Sequence, residues 1–273
     1  MGVVHAIMRR VISRRIPSEA AFVCVSALLF TASAALTIVG CASMAIGAMT
    51  MPGGWTMSMA WMRMPGQTWL GSAMSFLGMW VVMMVAMMLP SLVPMLWRYR
   101  QLVAKTDDTQ LGRLTMLVAI GYFFVWTVFG MAAFPLGVAL TTAEMQLPAL
   151  ARVIPIATGM VVVIAGALQF TAWKAHHLAC CRESFGYARL LRADARTAWR
   201  KGLRHGLHCI CCCAGLMAVL LVIGVMDLRA MTVVAAAVAV ERLAPAGKLV
   251  ARAIGTVVVV AGLFVTARAI GLA

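Results

Sequence analysis

The chain has 273 residues, 63% of them hydrophobic and 11% charged, with a mean hydropathy of +0.97. That balance excludes an ordinary soluble globular domain and predicts an all-α, polytopic membrane helical bundle, a single transmembrane domain over residues 1–273. In a soluble protein a net charge of +15 would point to nucleic acid; here the basic residues lie in short stretches between apolar runs, so the lipid bilayer is the expected partner and nucleic acid is not.

Residues 1–20 carry Arg9, Arg10, Arg14 and Arg15 and read as a basic cytoplasmic N-terminus. The apolar run from Ala21 to about Ile46 is longer than the core of a signal peptide and predicts a retained first span. Cys24 and Cys41, alone in that span, read as buried structural thiols. Residues 47–69 form a Met/Trp-rich extracytoplasmic loop: Met49, Met51, Met57, Met59, Met62 and Met64 stand among Trp55, Trp61 and Trp69, broken by Pro52-Gly53-Gly54 and Pro65-Gly66. Exposed thioethers would gather soft Cu(I). Equally, the loop fits an interfacial belt seated at the headgroups.

The second span, Leu70 to Trp97, contains Met79, Met83 and Met87 at every fourth position and Met84 and Met88 on the adjacent face. A sulfur stripe of this kind is usually core packing. Pro90 and Pro94 each remove a backbone donor, which predicts a kinked or broken, Met-lined helix. A basic loop with Arg98, Arg100, Lys105 and Arg113 leads to a third span from Leu114 to Leu140. The fourth runs from Val153 to about Trp173, and its Gln169 is expected to bond a neighbouring helix.

Residues 174–205 read as a basic, Cys/His-containing cytoplasmic loop, whose cations serve topology and contact with anionic lipid. On helical spacing His177 and Cys181 share a face, as do His176 and Cys180. At the start of the fifth span, Gly206 to about Met226, two imidazoles and four thiols crowd into nine residues: His205, His208, Cys209, Cys211, Cys212 and Cys213. Cys209, Cys212 and Cys213 lie three and four positions apart and share a face. After a turn at 224–229, where Asp227 is expected to pair with Arg229, comes a short apolar element from Ala230 to Val240. Glu241, which could as readily pair with a basic neighbour as bind anything else, Arg242, Pro245 and Lys248 bound it, and a last span runs from Leu249 to Ile270.

This pattern predicts about seven transmembrane helices, or six if the short sixth element is re-entrant. With seven crossings and the N-terminus inside, nineteen of the 23 Lys and Arg residues fall on the inner side. Only Arg63, Arg152, Arg229 and Arg268 fall outside. The bias predicts a multi-pass protein of a bacterial-type inner (plasma) membrane, with its N-terminus and Cys/His clusters cytoplasmic.

Soft donors gathered from distant parts of the chain point to a metal site. The candidate ligands are Cys209, Cys212 and Cys213, then Cys181 and His177, then His205 and His208, with Met83, Met84, Met87 and Met88 lining the approach. Thiolate and thioether select Cu(I); three or four thiolates with imidazole also suit tetrahedral Zn2+. The expected function is Cu(I) binding for transport or for delivery to a partner cuproenzyme, without catalysis. The alternatives are a structural or assembly subunit contacting other membrane subunits, with the thiols as packing residues, and a membrane thiol-disulfide oxidoreductase using the vicinal cysteines. No nucleotide-binding or P-type phosphorylation motif is present.

Several stretches resemble the DUF2182 family of predicted metal-binding integral membrane proteins. They are Met83-Met84-Val85-Ala86-Met87-Met88-Leu89-Pro90-Ser91 with Pro94-Met95, Gly121-Tyr122 with Trp126, and Lys174 with His177-Leu178 and Cys181-Arg182. The series continues with Arg204-His205-Gly206-Leu207, Cys209, Cys212-Cys213 and Leu216-Met217, and closes with Gly224-Val225-Met226-Asp227-Leu228 through Glu241. The chain departs from that pattern with His177 in place of Cys, Cys211 in place of Gly, Ala214 in place of Trp and Asp227 in place of Asn. The resemblance implies copper handling and supply to cuproenzymes such as tyrosinase-like oxidases.

Overall fold

Long apolar runs, interrupted only where caps or glycines release the chain, set the architecture. The computed structural model describes residues 2–45, 49–50, 56–57, 61, 66–103, 108–146, 148–182 and 194–271. In chain order these form α1 (Gly2–Ala45), β1 (Met49–Thr50), β2 (Thr56–Met57), α2 (Trp69–Leu102), α3 (Asp108–Gln146), α4 (Pro148–Leu168), α5 (Ala172–Arg182), α6 (Ala195–Ile223), α7 (Leu228–Leu243) and α8 (Gly247–Ala269). The fold is all-α apart from the two-residue antiparallel pair β1–β2, in which Met49 faces Met57. Most of the Met/Trp-rich stretch around that pair lies outside the described residues.

Among the described residues five helices are long and apolar enough to cross a membrane: Ser18–Ser43 within α1, Trp69–Leu102, Asp108–Ala143 within α3, Ala195–Ile223 and Gly247–Ala269. The bent pair Val153–Leu168 and Ala172–Arg182 makes up to six. Seven crossings are therefore too many. The difference is the short sixth element: α7 has 16 residues, below the roughly 20 that a helix needs to span hydrocarbon.

Two further expectations are revised. α2 continues helically through Pro90 and Pro94, so the predicted break is not there; packing on both sides carries the helix past the missing donors. The break falls instead between α4 and α5, which meet at 64°. There the backbone tightens through bonds from Gln169, Phe170 and Thr171 to the carbonyls three residues back. Thr171 then starts the next helix, its Oγ1 accepting the Lys174 amide at 3.2 Å, as an N-cap does. Consequently the stretch read as a loop from 174 to 205 contains α5 and the first turns of α6.

α2, α3, α5, α6 and α7 enclose one contiguous core, to which α1 contributes Cys41. Much of α1 is exposed along Leu28, Leu36 and Val39, a face suited to lipid. Trp80 donates its Nε1 to the Trp126 carbonyl at 2.9 Å, locking α2 to α3. α3 and α6 approach most closely at Gly202, where an added Cβ would stand 2.3 Å from the Val118 carbonyl oxygen. Gly202→Ala is expected to force the two helices apart and to destabilise the protein by about 2 kcal/mol or more, read as a lower thermal midpoint in detergent. An unchanged midpoint would show that the helices can separate freely there.

Candidate metal centre

Three of the four thiols on α6 point inward, while Cys211 stays partly exposed. Cys209 and Cys213 are fully buried and Cys212 is 2% exposed. Because α5 packs on α6, Cys181 joins them from the shorter helix. The sulfurs lie as neighbours in a row: Cys181 by Cys212, Cys212 by Cys213, and Cys213 by Cys209. At its end the Tyr122 hydroxyl and Cys209 Sγ are 2.9 Å apart. The close α3–α6 approach at Gly202, and at Gly206 against the Tyr122 carbonyl, brings that phenol to the thiol.

Arg242, from the end of α7, supplies a cation to the cluster. Its Nη2 donates toward Cys213 Sγ at 3.4 Å and toward Cys181 Sγ at 3.8 Å, while Nη1 donates to Ser91 Oγ on α2 at 3.2 Å. Its Nε has no partner among the described residues. One residue earlier, Glu241 is 1% exposed and is ion-paired to Lys174 Nζ at 2.6 Å. Lys174 Nζ also donates to the Cys212 carbonyl at 2.6 Å, and Gln169 Nε2 donates to the other Glu241 oxygen at 3.0 Å. A buried carboxylate, ammonium and amide thus tie α7 and the α4–α5 break to the backbone of α6 at the thiols.

The imidazoles divide between two environments. His205 is 4% exposed, with its ring 5.6 Å from that of Tyr122. His177 and His208 face each other at the partly buried α5–α6 seam, Nδ1 to Nδ1 at 3.2 Å. His177 and Cys181 thus both face α6, one turn apart, the first at His208 and the second at Cys212. The other expected pair stays together at the surface, with His176 Nε2 3.6 Å from Cys180 Sγ. Met83, Met84, Met87 and Met88 are all buried in the same core as the four thiols. Among the described residues no three His, Cys, Asp or Glu side chains surround a common point as a ready-made cage; the thiols lie in a row.

Chemically, the arrangement offers four soft donors in a water-poor interior beside a fixed positive charge. Such a set fits a thiophilic monovalent ion better than a hard divalent one. Tyr122 and Arg242 were not singled out as site residues in the sequence, and Lys174 read as a topology residue. The available signal was general: ionisable groups inside or beside membrane spans are costly and are kept for a purpose. Gln169 bonds across helices as expected. Asp227, instead of pairing with the Arg229 side chain, caps α7 by accepting the Arg229 and Ala230 amides at 2.8 and 2.9 Å.

Residues 77–265 match a family model described as PpoB2, copper chaperone. No curated protein and no solved structure matches the chain.

Proposed function

Because this chain belongs to the PpoB2 copper chaperone family, we propose that it binds Cu(I) at Cys181, Cys209, Cys212 and Cys213 and delivers it to a partner cuproenzyme. A copper-related, metal-handling role follows from the family, and the long apolar helices fit a multi-pass membrane protein. The resemblance to the DUF2182 family is carried largely by residues inside the matched region, the Met-rich stretch of α2 and the Cys/His end of α6 among them.

One observation supports the site above all others: the four thiols, drawn from two helices, are buried in one core, where Arg242 reaches Cys181 and Cys213. Two thiolates around Cu(I) carry one negative charge, which the guanidinium offsets in a medium where an unbalanced charge costs several kcal/mol. Since the sulfurs lie in a row and not around one point, loading draws two or three of them around the ion by side-chain rotation. His177 and His208, at the seam leading to Cys181, serve as the approach from the cytoplasmic face, with the N-terminus on that side. The buried methionines of α2 supply thioethers on the opposite flank.

Metal analysis of the purified protein, reduced and loaded with Cu(I), tests the reading. The Cys209→Ser/Cys212→Ser/Cys213→Ser variant is expected to lose the tightest-bound equivalent. Equal copper in both proteins would sink the assignment. A wild-type preference for Zn2+ over Cu(I) in direct competition would replace the ion. Thiol trapping in cells separates the redox alternative, which requires Cys212 and Cys213 to be found partly oxidised.

A further inference from the structure

A second group of sulfurs lies about one half-helix away from Arg242. Cys41, near the end of α1, is 1% exposed, and its Sγ lies 3.9 Å from Met226 Sδ. Met226 is placed there by the turn after α6, where Gly224 takes a φ of 138° that other residues rarely adopt. On α2, Met79 lays its Sδ 2.9 Å from the point where a Cβ on Gly40 would stand, beside Cys41 in the chain. Met79 and Met226 are partly buried against the core that contains Cys41. From Met79 the buried Met83, Met84, Met87 and Met88 continue along α2 to Ser91, the residue bonded to Arg242. That distance is a rise of about 18 Å, with a thioether at every turn.

We propose that Cys41, Met226 and Met79 form a second Cu(I) site, joined to the thiol cluster by the α2 methionines, so that the ion passes along the helix between two sulfur sites. The inference rests on the copper reading above. Charge separates the candidate ions. One thiolate and two thioethers around a monovalent ion are neutral overall, while a divalent ion in the same set keeps a positive charge in an apolar surround. Sulfur donors without oxygen or imidazole further favour Cu(I). The Asp227 carboxylate is not counted among the donors: its Oδ1 accepts the two amides at the start of α7. Simple core packing explains apolar Met side chains singly, but it gives no reason for a buried thiol to meet the thioether of Met226, with Met79 against the neighbouring Gly40, where α1, α2 and the α6–α7 turn come together.

The test is the Cu(I) stoichiometry of the full-length protein in detergent, titrated anaerobically against a chromophoric Cu(I) chelator. Cys41→Ala/Met226→Leu is expected to bind one equivalent fewer than wild type while keeping the equivalent that Cys209→Ser/Cys212→Ser/Cys213→Ser loses. Copper retained by the latter variant should show an all-sulfur X-ray absorption signature. Wild-type stoichiometry in Cys41→Ala/Met226→Leu overturns the second site and leaves the thiol cluster standing. The reverse pattern, with loss confined to the Cys41/Met226 variant, keeps the second site and removes the cluster assignment. Retention of the cluster equivalent also shows that the variant is folded. If it does not fold, Met226→Leu alone, which removes one thioether at nearly constant volume, is expected to weaken that equivalent by about tenfold, and unchanged affinity overturns the proposal.

Discussion

Lys174→Met is expected to destabilise the protein by about 3–5 kcal/mol, the range found when one partner of a buried ion pair is removed. Lys174 is 3% and Glu241 1% exposed, and their 2.6 Å pair has no bulk water to take its place. Without the ammonium, Glu241 keeps a buried charge and the Cys212 carbonyl loses its donor. Lys174→Met combined with Glu241→Gln removes both charges and preserves an acceptor for Gln169, so it is expected to recover most of the loss. Thermal unfolding in detergent measures all three proteins. If the single and double variants lose equally, the ion pair is not what holds α5 and α7 to α6. Because the pair anchors the helix that carries Cys181, the single variant should also bind Cu(I) more weakly.

Arg242→Met is expected to do the opposite: to leave the metal-free protein as stable as before, or more so, while weakening Cu(I) binding about 100- to 1,000-fold, some 3–4 kcal/mol. The difference follows from what the guanidinium faces. Arg242 has no carboxylate partner among the described residues and its Nε is unsatisfied there, so it contributes little to the empty fold. Its Nη2 contacts with Cys213 and Cys181 become charge-assisted once those sulfurs hold the metal as thiolates. Arg242→Lys keeps the charge but not the fork that reaches Ser91 and two sulfurs, and should fall between the two. Chelator competition and thermal unfolding on the same preparations read both quantities. Equal Cu(I) affinity in wild type and Arg242→Met would remove Arg242 from the site.

Much of the site was legible because helical spacing is rigid. Positions three and four apart must share a face, and Cys209, Cys212 and Cys213 do so, all turned into the core. The same rule brought His176 to Cys180. It also holds for His177 and Cys181, which share the face of α5 turned to α6 and meet there His208 and Cys212, themselves four apart. Neither the chain's prolines nor its hydropathy located the true break. That depended on Gln169 and Thr171, whose side chains bond across to Glu241 and forward to the Lys174 amide.

The apolar runs, their lengths and the clustered thiols determined by themselves that this chain is built of helices long and apolar enough to cross a membrane, with its soft donors gathered at one end of α6, since composition and period act locally and need no partner. Only the tertiary structure decided that Cys181 completes that group, that Tyr122 and Arg242 border it, that Lys174 is buried against Glu241, and that Cys41 meets Met226. Each of these joins residues dozens of positions apart, up to 185 for Cys41 and Met226. The physical reason is that helix period orients a side chain around its own axis but carries no information about which other helix lies alongside. That choice is made by close packing, as where Gly202 lets α3 approach α6, and by the need of buried charges to find partners.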